Sequence, residues 1–352
     1  MRHGGDIYRN KVNLDFSVNL NPLGTPESVL SAVKDCTDTL SVYPDIEQVA
    51  VKEAIADFEG VNPSEILAGN GASDLIMTLV RALNPKKALL YEPTFSGYTY
   101  ALNSVECRTK HVIIRESEGF LLTEDYMGSL DERADILFLC NPSNPTGRNI
   151  DESVLLKYLD KAKEAGTTVV LDESFYFLSD ISEEDDAERT RTLIDRYKNL
   201  YIVRSLTKLL AMPGVRMGYV ISDEANIGIL SRFLPEWNLS LMAEKAIVAG
   251  MDVLKNTDFL AKTHELIKGE RDYLNHQFMN MGILIFKSNA PFVLFKCREE
   301  LAERLLSKGI MIRDCYNYPG LYKGVFRVAV KDRKSNEALV NAIKEIRSEE
   351  FK

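Results

Sequence analysis

The chain has 352 residues, 45% of them hydrophobic and 27% charged, with a formal net charge of −9. That length can bury a sizeable core and suits one large unit plus one small one; the acidic balance, with no basic cluster, argues against a general nucleic-acid surface. The five cysteines are scattered without metal spacing or pairs, and no apolar run approaches the ~18 residues of a membrane span. We therefore expect no metal centre, no disulfide framework and a cytoplasmic protein that does not enter the membrane.

In chain order, residues 1–40 read as an arm with a helix over Ser28–Val33, and Val49–Phe58 is an amphipathic helix stopped by Gly60. From there to about Asp223, short apolar strands alternate with helical segments, the pattern of a mostly parallel sheet. Ile66-Leu67-Ala68 leads through Gly69-Asn70-Gly71-Ala72-Ser73 into the helical pattern Asp74–Val80. Strand, glycine turn and helix start form an anion site, because free backbone N–H groups point at the ligand. A Gly-x-Gly alone is weak; its value lies in company.

Ile136–Cys140 then runs into Asn141-Pro142-Ser143-Asn144-Pro145-Thr146-Gly147. This rigid stretch is either a plain strand-to-helix turn or a mount for the Asn144 amide. Val169-Val170-Leu171 ends on Asp172, at the end of a parallel strand where ligands gather in open α/β sheets. An aspartate there caps a helix or pairs with a protonated pyridine nitrogen. Residues 182–186 form an acidic, solvated loop. Leu200–Arg204 is a strand leading to Ser205-Leu206-Thr207-Lys208, with Arg216 following in Pro213–Gly218. Taken alone, Lys208 is one more solvated lysine. Set between a hydroxyl and an arginine behind a glycine turn, it suits an aldehyde cofactor carrying a phosphate, with the amine as Schiff-base former.

After an interruption at residues 234–238, the pattern gives a linking helix Ala243–Leu254, helix Phe259–Met279, strand Pro291–Lys296, helix Glu299–Leu306, strand Phe326–Val330 and helix Asn336–Ile346. These suit a small α/β domain. The expected division is 1–40 as arm and part of the small domain, 41–235 as the large cofactor domain, and 236–352 as linking helix and small domain.

These segments together resemble the fold-type I pyridoxal-phosphate enzymes of the aminotransferase class I/II superfamily, over nearly the whole chain and in the expected order. The resemblance implies an α/β fold, with a large domain built on a mostly parallel sheet flanked by helices and a smaller α/β domain. It implies pyridoxal 5'-phosphate as cofactor and makes Lys208 the lysine that bonds it. Asp172 becomes the partner of the ring nitrogen, Asn144 the donor to the ring oxygen, and Gly71, Ala72, Ser73, Ser205 and Arg216 the phosphate cup. Tyr98, in Pro93-Thr94-Phe95-Ser96-Gly97-Tyr98, matches the aromatic stacked on the ring. Tyr43 matches a tyrosine reaching the phosphate of the neighbouring subunit, which implies a homodimer. Arg327 matches the clamp on the substrate carboxylate, work that suits a guanidinium fork.

Within the superfamily, His3-Gly4-Gly5, Leu14–Gly24 and Ile312-Arg313-Asp314-Cys315-Tyr316-Asn317-Tyr318 resemble the threonine-phosphate decarboxylases of cobalamin synthesis. The histidinol-phosphate aminotransferases are close relatives, but typically carry a tyrosine where this chain has Phe175. Both groups act on a small phosphorylated amino acid or amino alcohol, so a second anion site is expected. Arg313 is its leading candidate, with His3 and Asn21 behind it. The expected activity is a pyridoxal-phosphate lyase, with a 2-oxoglutarate-dependent transaminase as the alternative. A non-catalytic cofactor-binding sensor is more remote: such proteins normally carry an N-terminal DNA-binding domain, and here the cofactor-family motifs begin in the opening residues.

Overall fold

The apolar runs between positions 66 and 221 form one seven-stranded sheet in a computed structural model, which describes residues 4–131, 133–180 and 186–349. Its strand order is Ile66–Gly69, Gly218–Ile221, Leu200–Ser205, Thr168–Asp172, Ile136–Cys140, Lys87–Glu92 and Arg108–Ile113. Gly218–Ile221 is antiparallel to both neighbours and the remaining pairings are parallel. Both faces are covered. Val169, Leu171 and Ile202 join one core cluster, whereas Val170, Tyr201 and Val203 join another on the opposite face. That period of two, apolar on both sides, is why these strands read as continuous hydrophobic runs.

A second, antiparallel sheet is ordered Arg313–Asp314, Val325–Ala329, Phe292–Lys296 and Leu284–Ile285. The helices Phe259–Asn280 and Arg333–Glu349 pack with it around Phe278, Phe295, Phe326 and Ile343. Helix Leu241–Asn256 precedes this unit.

Element bounds depart from expectation by a residue or a few. The predicted strand at Pro291 begins at Phe292, since proline has no N–H for the ladder. The predicted N-terminal arm contains a short strand, Leu14–Asp15, paired in parallel with Ile310–Met311. The segment leading to Phe16 is thereby stitched to the strand that precedes Arg313. Residues 182–185 of the acidic loop lie outside the described residues. Among those described, no helix is long and apolar enough to cross a membrane, and no cluster of His, Cys, Asp or Glu could hold a metal.

Candidate active site

Parallel strands deliver their last residues to one edge of the sheet, and Gly69, Cys140, Asp172 and Ser205 arrive there together. After Gly69 the chain turns through Gly71 into helix Ala72–Leu83. Gly71 has φ 84° and ψ 163°, a region only glycine occupies at ease. A Cβ there would stand 2.8 Å from Arg216 Nη2. The first N–H groups of the helix, at Ala72 and Ser73, precede any intrahelical acceptor. Turn, helix start and guanidinium make a cup suited to a phosphate. Arg216 is itself held by Pro213 O, to which its Nη1 donates at 3.0 Å. Gly71→Ala is expected to weaken cofactor binding roughly ten- to a hundredfold, from ~1–3 kcal/mol of backbone strain and the lost approach to Arg216. A fluorescence titration with unchanged affinity would contradict this use of the cup.

Lys208 sits on a one-turn helix, Leu206–Leu209, directly after strand Leu200–Ser205. Its Nζ lies 3.1 Å from Thr207 Oγ1 and 3.4 Å from Ser205 Oγ, and the two hydroxyls are 2.8 Å apart. Burial lowers the amine to about 8, opposed by the nearby Asp172 carboxylate and reinforced by Arg216. A lysine so placed is neutral often enough near physiological pH to act as a nucleophile. Asp172, only 3% exposed, accepts 2.6 Å from the Tyr98 hydroxyl at Oδ2 and 2.9 Å from the Ser174 N–H at Oδ1. Cys140, opposite Asp172 in the ladder, is pushed up to about 12, mainly by burial, and stays a neutral thiol.

On the far side of the site, Arg327 donates through Nη2 to Ser17 O at 2.9 Å and through Nη1 to Asn144 Oδ1. It is 5% exposed, its Nε has no partner among the described residues, and its guanidinium lies 5.2 Å from the Phe292 ring. Phe292 in turn packs edge-on against Phe175 at 5.3 Å. Arg313, 2% exposed, stands directly opposite Arg327 in the antiparallel ladder. It donates to Asp314 O at 2.6 Å and to Asn317 Oδ1 at 2.8 Å. The predicted residues Lys208, Asp172, Ser205, Arg216, Gly71, Asn144 and Arg327 are thus brought to one place, with Arg313 beside them.

Two predicted roles are corrected. Tyr98 is fully buried, stacked 4.7 Å from Phe138, with its hydroxyl spent on Asp172; it braces the carboxylate and presents no open ring face. Phe95, half-buried and edge-on to Tyr98 at 5.5 Å, has the accessible ring. Asn21 is also no substrate ligand. Its Nδ2 donates to Leu209 O at 3.0 Å and Thr263 Oγ1 at 2.9 Å, and its Oδ1 accepts from Leu23 N–H at 3.0 Å. Buried amides need such partners, and Asn21 has found them within the protein. Tyr43 is 76% exposed and contacts Trp237, at 5.1 Å between rings. His3 lies outside the described residues.

Sequence reading missed Thr207 as a site hydroxyl, although it stands in the lysine motif itself. It also missed Asn238, which donates to Ala68 O at 3.0 Å and accepts from Asn70 Nδ2 at 2.5 Å through its carbonyl O. That brace on the phosphate turn comes from 168 residues away and has no local signal.

A family model for aminotransferase class I and II matches residues 11–343. Threonine-phosphate decarboxylase of Salmonella typhimurium is 33% identical over 341 residues, covering 95% of this chain and 91% of that protein. Histidinol-phosphate aminotransferase of Methanothermobacter thermautotrophicus is 30% identical over 335 residues, covering 91% and 86%. Among solved structures, the histidinol-phosphate aminotransferase of Clostridium acetobutylicum superposes with a TM-score of 0.86 at 28% identity, over 96% of this chain and 99% of that one.

Proposed function

The chain belongs to the aminotransferase class I and II family, and from that premise we propose that it decarboxylates L-threonine O-phosphate to aminopropanol phosphate, a step of cobalamin side-chain synthesis. It is a pyridoxal-phosphate-dependent enzyme. The residues present fit that cofactor. The Gly71 turn, which a Cβ would close against Arg216, suits its phosphate together with Ala72, Ser73, Ser205 and Thr207. The depressed Lys208 amine suits its aldehyde, and the buried Asp172 carboxylate suits a protonated pyridine nitrogen. We assign the ring face to Phe95 and the ring oxygen to Asn144.

The observation that carries the substrate is the buried pair Arg313 and Arg327, directly opposite each other on adjacent strands. Like charges so placed are destabilising, and an anion between them turns the liability into a site. Threonine phosphate offers a carboxylate and a phosphate on neighbouring carbons. Histidinol phosphate offers only the phosphate. We assign Arg327 to the carboxylate, as a fork that fits it bidentately, and Arg313 to the phosphate. Phe292 and Phe175 wall the Arg327 side with rings that have no hydroxyl, which keeps that end dry and strengthens the ion contact.

Bound pyridoxal phosphate supplies an electron-poor ring that accepts the electron pair left on the substrate Cα. Arg327 orients the carboxylate so that the C–CO2 bond is the one that breaks; carbon dioxide leaves, and Lys208 Nζ delivers a proton to Cα. Asp172, held at both oxygens by Tyr98 and Ser174, would pair with the protonated ring nitrogen. Carbon dioxide release from threonine phosphate without a keto acid tests the proposal. The second reading, a histidinol-phosphate aminotransferase using 2-oxoglutarate, is favoured by the structural likeness to the Clostridium enzyme.

The assembly we propose is a homodimer. Val42 and Tyr43 are 62% and 76% exposed, and Tyr43 meets the ring of Trp237, itself 45% exposed, so these side chains leave apolar surface that a second copy would cover. Sedimentation is expected to give a dimer, with Tyr43→Ala loosening the cofactor; an active monomer would refute it. Five free thiols support a reducing compartment, the cytoplasm.

A further inference from the structure

The helix that carries Lys208 has four residues, too short to hold itself in water. The chain just beyond it serves three of its carbonyls, as Leu206 O, Thr207 O and Lys208 O accept from the N–H groups of Leu210, Met212 and Ala211. The turn at residues 21–25 adds to these bonds and serves Leu209 O. Asn21 N–H donates to Lys208 O at 3.0 Å, Asn21 Nδ2 to Leu209 O at 3.0 Å, and Thr25 Oγ1 to Ala211 O at 3.4 Å. The amide is aimed by its own turn, because Oδ1 accepts from Leu23 N–H and the carbonyl O accepts from Gly24 N–H at 3.1 Å. Its second amide hydrogen anchors on Thr263 of helix Phe259–Asn280, a residue with no exposed surface. Gly250 of helix Leu241–Asn256 lies against Leu210, where a Cβ would come within 2.4 Å of Leu210 Cδ1. Asn21 is 3% exposed, and its hydrogen bonds go to Lys208, Leu209, Leu23, Gly24 and Thr263.

Resting on Lys208 as the cofactor lysine, we propose that Asn21 is a positioning residue that clasps the carbonyl end of the lysine turn and so fixes where the Lys208 amine stands. The strap that bears it begins at Ser17, whose carbonyl accepts from Arg327, and Phe16 is tied to strand Ile310–Met311 through Met311 O and to the small sheet through Ala329 N–H. The lysine and the carboxylate-binding arginine are therefore moored to one short segment. Without the clasp the turn loosens, water reaches the amine, and the burial that holds it down is relieved. The groups facing Lys208 are Asp172 (braced by Tyr98) from its strand, Arg216 from the loop beyond, and the hydroxyls of Ser205 and Thr207; none of them changes in an Asn21 variant.

The test strips and reloads the wild type, Asn21→Ala, Asn21→Ser and Thr263→Val with pyridoxal phosphate across pH, following the Lys208-dependent absorbance band. Only the neutral amine attacks the aldehyde, so wild-type capture rises with pH through about 8. In both Asn21 variants the midpoint is expected to move up by about half a pH unit or more, roughly threefold fewer neutral amines at pH 7. Turnover of the loaded enzyme is expected to fall roughly ten- to a hundredfold through misplacement, with KM for threonine phosphate changed less than about twofold. Asn21→Ser keeps an acceptor for Leu23 N–H but cannot reach Leu209, so it carries the test where the alanine variant fails to fold. Thr263→Val removes the anchor of the Asn21 amide and leaves its bond to Leu209, so it should lower Tm and move the midpoint in the same direction by a smaller amount. Asn21 variants with the wild-type midpoint and kcat, or a Thr263→Val shift as large as theirs, would overturn the clasp alone. A wild type with no Lys208-dependent band would overturn the functional reading and the clasp with it.

Discussion

Lys208→Ala is expected to remove the cofactor's lysine-bound absorbance and to cut turnover by roughly four orders of magnitude, the upper range for a lost acid–base group. The reason is double. Lys208 is the only lysine in the Ser205–Arg216 segment that the hydroxyls of Ser205 and Thr207 approach, and the same amine is assigned the proton delivered to Cα. Exogenous amines should restore part of the proton transfer without restoring the covalent tie between chain and cofactor. Arginine at this position should not rescue, because a guanidinium stays protonated and cannot attack an aldehyde. Turnover within tenfold of wild type in Lys208→Ala would remove this residue from both roles.

Arg327→Ala is expected to have the second-largest effect, and a selective one. None of the described carboxylates pairs with Arg327; its contacts are the carbonyl of Ser17, the amide oxygen of Asn144 and the face of Phe292. A buried guanidinium without an acid in the protein is poised for one from the substrate. Removing such a charge-assisted pair costs about 2–5 kcal/mol, or roughly thirty- to several-thousandfold in kcat/KM for threonine phosphate. Binding of histidinol phosphate, which has no carboxylate, should change less than about threefold by the same reasoning. Arg327→Lys should recover little, since a point charge cannot reproduce the fork. Equal losses for both ligands would show that Arg327 supports the fold around Asn144 and does not read the substrate.

The alternation of buried strands and helices was legible because each parallel strand is apolar on both faces, and the structure groups Val169, Leu171 and Val170 as that pattern requires. Lys208, Asp172 and Arg216 were legible because strand ends and glycine turns fix where the backbone must bring them. What failed was side-chain direction. Phe95 and Tyr98 are three residues apart at the start of helix Gly97–Asn103, and nothing in the sequence says which ring turns inward. Asn21 misled for a different reason. A polar residue near a substrate motif invites a binding role, but its partners Leu209 and Thr263 lie 188 and 242 residues away. Long-range hydrogen bonds of this kind carry no periodicity and become visible only once the chain has folded.

The central claim is that this family member breaks the C–CO2 bond of a phosphorylated amino acid. The measurement that meets it most directly supplies pyridoxal-phosphate-loaded protein with threonine phosphate and no keto acid, and follows carbon dioxide and aminopropanol phosphate. Steady, equal release of both over many turnovers is expected. No release, together with conversion of the cofactor to its amine form by histidinol phosphate and its recovery with 2-oxoglutarate, would contradict the account and make the protein a transaminase.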